Sequence, residues 1–230
     1  MENVLEKIKG TVVVSVQAMP SEPLYHEKCM AAMMKSVLNG GAGGLRVAGV
    51  RDIVNAKKIS KVPVIGITKP DKIPSNYKEI VYITPTVKDV LDVIRAGADI
   101  VALDGTQRKR PNDEKLQDLV KYIHIYKKIA MADISTLEEG LLAQEAGADV
   151  LSTTLAGYTI ESLSSPQNEP DFKLLEELVK QSKLPVILEG RIWTPEQVIK
   201  AFELGAHAVV IGSAITRPQL ITKRFVFREK

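Results

Sequence analysis

The sequence predicts a single α/β domain over residues 1–230, folded as a (β/α)8 barrel. One observation is a repeated phrase in which a helix-like segment ends on glycine and a buried strand follows. Ala96-Gly97-Ala98-Asp99, Ala146-Gly147-Ala148-Asp149 and Leu204-Gly205-Ala206-His207 each precede an apolar run. Glycine is a common cap after the last helical turn, and a short apolar run suits a strand covered on both faces. A second observation is the length, because 230 residues suit one large α/β domain better than two small ones.

Eight β-branched apolar runs mark the predicted strands. They are Thr11–Val16, Gly44–Val47, Val62–Ile67, Ile100–Leu103, Ile129–Ala132, Val150–Thr153, Pro185–Leu188 and Ala208–Ile211. A further run, Ile80–Thr84, breaks the helix–strand rhythm and is interpreted as part of a loop. The alternative fold is an open doubly wound sheet, which normally has a glycine-rich phosphate turn after its first strand. Gln17-Ala18-Met19-Pro20 stands there instead, and this favours the barrel.

Helix start signals stand between the predicted strands. A hydroxyl cap followed three residues later by an acid or amide occurs in the pairs Thr86 with Asp89, Thr136 with Glu139, and Thr194 with Gln197. Pro195 adds a proline at the first helical position of the last of these helices. The alternation of helix and strand therefore extends through most of the chain.

The composition argues against several classes of function. A formal net charge of +3 is too small to indicate a nucleic-acid partner, and no run of about 18 apolar residues predicts a membrane span. The only cysteine, Cys29, cannot form an internal disulfide or a cysteine-rich metal site, and it suits a reducing cytosol. Met1 to Gly10 lacks the apolar stretch of a signal peptide. We therefore expect a cytoplasmic protein with neither a membrane nor a nucleic acid as partner.

Polar residues stand at the ends of the predicted strands. In a (β/α)8 barrel the carboxyl ends of the strands converge on one mouth, where active sites form. The residues at these ends are Gln17, Arg46, Lys69, Asp104, Asp133, Thr153, Thr154, Glu189, Gly212 and Ser213. The set predicts a polar pocket rather than a plain scaffold.

Lys69 and Glu189 are the candidate catalytic residues. Desolvation lowers the pKa of a lysine at the end of a buried strand, which suits a general base near neutral pH. The alternative for Lys69 is a surface lysine at the barrel rim. Glu189 follows a strongly apolar run, where a carboxylate is costly unless it pairs with Lys69 or Arg46 or holds a substrate hydroxyl. The alternative for Glu189 is a structural salt bridge across the mouth.

Five residues are candidates for binding the substrate. Gln17 can donate and accept hydrogen bonds, and Arg46 offers a planar fork to oxygen ligands. Asp133 is as compatible with a structural role as with a substrate contact, and Thr153 and Thr154 complete the set. Asp104 carries the same ambiguity as Asp133, since Arg108 and Arg110 are near enough in the chain to neutralise it.

The last two strand ends predict a phosphate site. Barrels of this type often bind phosphate after strands 7 and 8, with backbone N–H groups and a short helix. Gly190 and Gly212 allow a close approach of the backbone, Arg191 and Arg217 supply positive charge, and Ser213 supplies a hydroxyl.

Taken with their flanks, these strand ends resemble the bacterial N-acetylmannosamine-6-phosphate 2-epimerases. The matching stretches cover nearly the whole chain. They are Ser15-Val16-Gln17-Ala18, Glu22-Pro23-Leu24, Gly44-Leu45-Arg46, Val64 to Lys69, Ala102 to Thr106, Arg110-Pro111, Met131 to Ile134, Ser152 to Leu155, Gly157-Tyr158-Thr159, Glu189-Gly190-Arg191, Gly212 to Pro218 and Ile221 to Phe225. Gly105 and Ser213 depart from the family pattern, in which Ala and a second Gly are common.

The resemblance implies reversible conversion of N-acetylmannosamine 6-phosphate to N-acetylglucosamine 6-phosphate in sialic-acid breakdown. It implies that Lys69 is the catalytic lysine, that Glu189 is the active-site glutamate, and that Gln17 and Arg46 bind the substrate. Removal of the C2 proton requires an aldehyde at C1, so the sugar ring is expected to open, and the resulting enolate needs preorganised donors. This chemistry requires neither a redox cofactor nor a metal.

Two other functions remain open from the residues alone. A Schiff-base aldolase would use Lys69 as a covalent nucleophile. A sugar-phosphate sensor would keep the phosphate loops without catalysis, although the presence of Lys69, Glu189 and Arg46 together argues against it. Small barrels often associate, so a homodimer is the assembly that we consider.

Overall fold

A computed structural model describes residues 2–226, and the side chains of residues 4–226. The predicted domain of residues 1–230 also includes residue 1 and residues 227–230, which lie outside the described residues. The strands are β1 (Val12–Val16), β2 (Gly44–Ala48), β3 (Val64–Ile67), β4 (Ile100–Asp104), β5 (Ile129–Asp133), β6 (Val150–Ser152), β7 (Val186–Glu189) and β8 (Ala208–Ile211). They pair in parallel in chain order, and β8 pairs with β1 to close the barrel. The predicted (β/α)8 barrel is confirmed.

Helices surround the outside of the barrel, and the first of them lies at its amino-terminal end. They are α1 (Glu2–Ile8), α2 (Glu27–Asn39), α3 (Val50–Ile59), α4 (Val87–Arg95), α5 (Leu116–Ile125), α6 (Leu137–Glu145), α7 (Phe172–Gln181), α8 (Pro195–Glu203), α9 (Ser213–Thr216) and α10 (Pro218–Phe225), with a 3₁₀ turn at Pro111–Asp113. In the part of the chain that the structure describes, none of these helices is long and apolar enough to cross a membrane.

All eight predicted strands exist, but several predicted starts are too early. Thr11 is bound into the turn after α1, where its amide and its hydroxyl both donate to the carbonyl of Ile8. The amide of Val62 donates to the hydroxyl of Ser60 and so takes part in a turn instead of the sheet. Pro185 has no backbone N–H group and cannot donate a hydrogen bond to a neighbouring strand. These three residues therefore precede their strands.

The predicted strand ends also differ, and the difference concerns the candidate site. Asp104, Asp133 and Glu189 are the last residues of their strands, because Asp104 still pairs with Asp133 and Glu189 still pairs with Val210. β2 likewise extends by one residue to Ala48. β6, in contrast, ends at Ser152, one residue before the predicted Thr153. Three charged groups are thus held by the sheet itself rather than by the loops.

The glycine and hydroxyl caps are confirmed. Gly97, Gly147 and Gly205 follow their helices with φ of +99°, +94° and +91°, a region that favours glycine. At the helix starts, the hydroxyls of Thr86, Thr136 and Thr194 each accept a hydrogen bond from the backbone amide three residues later in the chain.

The run Ile80–Thr84 is confirmed as part of a loop. Ile80 forms an isolated bridge with Lys109, and Val81 donates to the carbonyl of Lys109. Ile83 and Thr84 turn inward and are buried. The loop between β3 and α4 is therefore packed against the barrel mouth.

Alternate residues of each strand point into the barrel and form a closed apolar interior. The buried cluster there contains Val13, Ile65, Ile67, Ile100, Ala102, Ile129, Met131, Val150, Ile187, Ala208 and Val210. Ile8 of α1 belongs to the same cluster and is fully buried, so α1 covers the amino-terminal end of the barrel. The intervening strand residues face outward and pack against the helices.

Candidate active site

The same alternation makes the barrel interior polar at its carboxyl end. On β1 the inward-facing residues after Val13 are Ser15 and then Gln17, and on β5 the inward-facing residue after Met131 is Asp133. The inward positions of this upper layer are Ser15, Gln17, Arg46, Lys69, Asp104, Asp133, Thr154, Glu189 and Gly212. Above them lies a cavity of about 550 Å3, whose lining includes Gln17, Lys69, Thr154, Glu189, Gly190 and Gly212.

Arg46 lies at the bottom of this layer, between two carboxylates. Its Nη2 is 2.5 Å from Oδ2 of Asp133, and its Nη1 is 2.9 Å from Oε2 of Glu189. Burial acts to lower the pKa of Arg46, but the two carboxylates outweigh burial and raise it. Arg46 is 1% exposed and Asp133 is fully buried. Neither side chain is therefore exposed to the cavity, and both are connected to it through Glu189.

Thr154 connects the two carboxylates. Its hydroxyl lies 2.7 Å from Oδ1 of Asp133 and 3.1 Å from Oε2 of Glu189, so it can donate to either one. The hydroxyl of Ser152 lies 2.8 Å from the same oxygen of Thr154. The hydroxyl pair therefore fixes the spacing of the two acids.

Thr153 has the opposite orientation. Its hydroxyl donates to the carbonyl of Glu189 and accepts from the amide of Glu189, at 3.0 and 3.1 Å. Its side chain is not part of the cavity lining. Thr153 was grouped with Thr154 because the two are adjacent, but neighbouring strand residues point to opposite sides. The structure therefore places Thr153 behind Glu189, where it clamps the backbone of β7.

Lys69 is half-buried in the cavity wall and makes its hydrogen bond to Gln17. Its Nζ is 2.8 Å from Oε1 of Gln17, whose Nε2 in turn donates to the hydroxyl of Ser15 at 2.8 Å. Burial and the positive charge of Arg46 lower the pKa of Lys69 to about 8, although Glu189 and Asp133 oppose the shift. The general-base prediction required such a lowered pKa, and the rim-lysine alternative did not.

Glu189 pairs with Arg46, one of the two partners that the sequence left open. Burial raises the pKa of Glu189, and the guanidinium of Arg46 limits that rise. Lys69 also favours the ionised form of Glu189 across the cavity. An amine and a carboxylate thus face the same space with their pKa values shifted toward each other.

The loops after β7 and β8 both reach the cavity. Gly190 has a φ of +111°, and Gly212 lies at the start of α9, where a Cβ would come within 3.3 Å of the Cβ of Ser15. Ser213, the first residue of α9, also lines the cavity. Glycine at residue 212 therefore lets the backbone lie close to β1, beside the Lys69 hydrogen-bond chain.

The two arginines predicted for the phosphate site are held differently. Arg191 donates to the carbonyls of Gln167 and Ala156 and lies over the ring of Tyr158, so its guanidinium ties the loop after β6 to the loop after β7. Arg217 pairs with Glu22 at 3.1 Å and lines the cavity beside Gly212.

Glu22 was quoted among the matching stretches, but its role did not follow from the sequence. Its carboxylate accepts from the amide of Met19, from Arg217 and from Gln219. It thereby joins the loop after β1 to the carboxyl-terminal segment.

Asp104 has a structural environment. It pairs with Arg108 at 2.5 Å and accepts from the amide and hydroxyl of Thr106, and burial raises its pKa. Arg108 also donates to the carbonyl of Tyr77, and Arg110 donates to that of Pro85. This cluster fastens the loop between β3 and α4, which brings Tyr82 to the cavity wall.

No metal centre is found among residues 2–226, where no group of three or more His, Cys, Asp or Glu side chains is arranged to hold an ion. The histidines lie away from the cavity lining. His207 is within hydrogen-bond distance of the carbonyl of Leu5 at the amino-terminal end of the barrel, and His124 is paired with Asp149.

Solved structures share this fold. A structure described as the N-acetylmannosamine-6-phosphate 2-epimerase from Clostridium perfringens superposes with a TM-score of 0.90 and is 50% identical, covering 96% of this chain and 94% of that one. A thiamine phosphate pyrophosphorylase from Pyrococcus furiosus superposes with a TM-score of 0.62 at 18% identity, covering 96% of this chain and 93% of that one. At this identity the similarity supports only a shared fold.

Sequence comparisons agree with the structural ones. A Clostridium perfringens protein described as "Putative N-acetylmannosamine-6-phosphate 2-epimerase" is 51% identical over 222 residues, 96% of this chain and 97% of that protein. A protein of Clostridioides difficile with the same description is 48% identical, over 96% and 97% of the two chains. The family model NanE, "Putative N-acetylmannosamine-6-phosphate epimerase", matches residues 30–230. The chain therefore belongs to the NanE family.

Proposed function

We propose that this chain catalyses the reversible C2 epimerisation of N-acetylmannosamine 6-phosphate to N-acetylglucosamine 6-phosphate, in the breakdown of amino sugars and sialic acid. The observation that carries the proposal is the position of Lys69. Its amine, with a pKa lowered to about 8, opens on the cavity that also contains Glu189 and the glycines after β7 and β8. An anchored sugar phosphate and a lysine base are the two parts that this reaction needs.

The reaction begins with the open-chain aldehyde of the sugar. The neutral amine of Lys69 takes the proton from C2, so the C–H bond breaks and a new N–H bond forms. The electron pair of that bond moves into the C1–C2 bond, and the negative charge develops on O1. Water delivers a proton to the opposite face of C2 and the O1 charge returns to the C1 carbonyl, which gives the other epimer, while the ammonium of Lys69 releases its proton to the resulting hydroxide; no redox cofactor or metal takes part.

The developing charge on O1 needs donors that are already in place. Gln17 and Lys69 line the cavity and can approach O1 or the N-acetyl group directly. Arg46 and Asp133 are too buried to do so in this arrangement. We therefore assign Arg46 and Asp133 to the control of Glu189, which orients the lysine or the sugar hydroxyls together with Thr154.

The phosphate binds after β7 and β8 in this proposal. The backbone at Gly190 and Gly212, the hydroxyl of Ser213 and the guanidinium of Arg217 supply its donors. Arg191 contributes by holding the loop that carries Tyr158, in keeping with its contacts to two backbone carbonyls. Binding energy from the phosphate, remote from C2, then positions the reacting carbon.

Incubation with N-acetylmannosamine 6-phosphate in deuterium oxide tests the proposal. We expect N-acetylglucosamine 6-phosphate to form and deuterium to enter at C2, both followed by NMR spectroscopy. The Lys69→Ala variant is expected to do neither, whereas Lys61→Ala, which removes an exposed lysine, retains both. Product that forms without deuterium at C2 would rule out proton exchange with solvent through Lys69.

The aldolase alternative uses the same amine. A lysine with a lowered pKa is also suited to form a Schiff base with a carbonyl substrate. Borohydride added during turnover traps such an adduct as a stable secondary amine on Lys69. The epimerase proposal predicts no trapped adduct on the peptide that contains Lys69, as measured by mass spectrometry.

We further propose that the chain acts as a homodimer in the cytoplasm. The support for association is the exposed apolar surface of the carboxyl-terminal segment, where Phe225 is 74% exposed and Val226 is 56% exposed. The support for the compartment is the single cysteine, Cys29. Light scattering on the purified protein measures the mass directly, and a monomer at micromolar concentration would exclude the dimer.

A further inference from the structure

Ser15 lies next to the proposed base but does not touch it. It is an inward-facing residue of β1, 8% exposed, and its hydroxyl accepts a hydrogen bond from Nε2 of Gln17 at 2.8 Å. Its Cβ packs against the backbone at Gly212, and its carbonyl accepts from the hydroxyl of Thr216 at 2.8 Å. Ser15 is therefore fixed between the loop after β8 and the side chain of Gln17.

The protonated amine of Lys69 determines the direction of both hydrogen bonds that connect Lys69, Gln17 and Ser15. A protonated lysine can only donate, so Oε1 of Gln17 must face Lys69. The NH2 group of Gln17 then faces Ser15, and the hydroxyl oxygen of Ser15 must accept from it. A rotated amide would bring its N–H donors to the ammonium of Lys69, which is repulsive. The ammonium of Lys69 therefore selects the orientation of the Gln17 amide, and Ser15 holds the side chain of Gln17 in place by accepting from its NH2 group.

We propose that Ser15 is a positioning residue, which fixes the amide of Gln17 and through it the place and the protonation of Lys69. The proposal rests on the assignment of Lys69 as the base in the proposed function. A carbonyl oxygen that accepts from the ammonium stabilises the charged form and so opposes the desolvation of Lys69. Without the hydroxyl of Ser15, the NH2 group of Gln17 loses its partner, the side chain of Gln17 is held less firmly, and the hydrogen bond from Lys69 is weakened.

The other charges around Lys69 are unaffected by a change at residue 15. They come from elements other than β1: Arg46 on β2, Asp133 on β5, Glu189 on β7 and Arg217 after α9, while Tyr25, Asp71, Tyr82, Tyr158 and Arg191 line the same cavity. Since none of them bonds to the hydroxyl of Ser15, a shift in the titration of Lys69 on deletion of this hydroxyl reports on Gln17.

The test compares Ser15→Ala with the parent. Competitive labelling with acetic anhydride across pH, read by peptide mass spectrometry, gives the titration midpoint of Lys69 without any need for activity. We expect Ser15→Ala to lower the midpoint by about half a unit, as loss of one hydrogen bond to the charged form predicts. In the epimerase assay we expect kcat to fall about tenfold with little change in KM, because the base is misplaced while the substrate still binds.

Two variants separate positioning from general loss of packing. Ser135→Ala deletes another buried serine hydroxyl, bonded to Glu139 and Thr159, and is expected to lower stability without moving the Lys69 midpoint. Ser15→Thr keeps the hydroxyl and is expected to restore the midpoint. If Ser15→Ala does not fold, Ser15→Gly, which also removes the hydroxyl, takes its place in the same measurements.

An unchanged Lys69 midpoint in a folded Ser15→Ala or Ser15→Gly protein would overturn the proposal. Failure of the proposed function gives a different result, because the parent itself would not convert the sugar phosphate. The labelling experiment would still report on the link from Ser15 to Lys69 in that case.

Discussion

The two ends of the barrel interior are built from the same strands but differ in chemistry. The lower layer contains Ile65, Ile129 and Ile187 and is closed by Ile8 of α1. The upper layer begins only two to four residues further along each strand and contains Lys69, Asp133 and Glu189. The lower layer excludes water and holds the barrel together. The upper layer concentrates charge in a half-closed cavity, where it shifts the pKa values of Lys69 and Glu189.

This difference shows how one strand can serve stability and chemistry at once. Successive side chains on the same face of a parallel strand are about 6.6 Å apart, so each strand contributes to both layers without a bend. The apolar layer below also makes the polar layer less hydrated. Substitutions in the lower layer should therefore change stability, and those in the upper layer should change kinetics.

The largest effect is expected at Lys69. Lys69→Ala should lower kcat/KM by about 10³- to 10⁴-fold, because a general base typically contributes rate factors up to that size. The unfolding midpoint should not fall, because the lost group is a desolvated amine. Steady-state kinetics and thermal unfolding of the same sample measure both quantities. A variant with near-normal turnover would show that the upper layer does not use this amine.

The opposite pattern is expected for the lower layer. Ile129→Ala should lower the free energy of unfolding by about 2–4 kcal/mol, as is usual for a large-to-small change in a core. kcat/KM should stay within about twofold of the parent when measured well below the unfolding temperature, since Ile129 lies about 13 Å from Asp133 along β5. Denaturant unfolding gives the first quantity. A large kinetic defect in a folded Ile129→Ala protein would mean that the two layers are not independent.

The pH dependence sharpens the comparison within the upper layer. The base must be neutral, so kcat/KM should fall about tenfold per unit of pH below a midpoint near the pKa of Lys69, which is about 8. The Glu189 carboxylate raises the pKa of Lys69, so Glu189→Gln should move this acid limb to lower pH. Glu138→Gln, at an exposed acid, is the matched control. If the acid limb of the Glu189→Gln profile lies at the same pH as that of the parent, Glu189 does not raise the pKa of Lys69.

The smallest effects are expected for the two threonines after β6. Thr154→Val removes the hydroxyl between Asp133 and Glu189 and should lower kcat by about tenfold. Thr153→Val removes the two hydrogen bonds to the backbone of Glu189 and should cost about 1–2 kcal/mol of stability, with kcat less affected. Kinetics and unfolding on both variants test whether side-chain direction decides the outcome. Equal kinetic losses would contradict the assignment of Thr153 to the outer face.

Much of the fold could be predicted because its signals are local. The glycines after α4, α6 and α8 and the hydroxyl caps at Thr136 and Thr194 require only neighbouring residues, and all of them are confirmed. α1 was not predicted, since a helix of seven residues at the start of the chain is stabilised by the burial of Ile8 and not by its own sequence.

The candidate site was predicted as a set of residues but not as a network. Period-two alternation could have separated Thr153 from Thr154 and would have added Ser15 to the set. The contact of Arg46 with Asp133 was not predicted, because the two residues come from strands far apart in the chain. The sequence offered Lys69 and Arg46 equally as partners of Glu189. Only the closure of the barrel decides between them.

A crystal structure of the parent or of Lys69→Ala with bound N-acetylmannosamine 6-phosphate tests the central claim most directly. The account predicts the phosphate between Gly190 and Gly212, and C2 about 3–3.5 Å from Nζ of Lys69, or from the place that Nζ occupies in the parent. A phosphate bound elsewhere, or a C2 atom beyond the reach of that amine, would contradict the account.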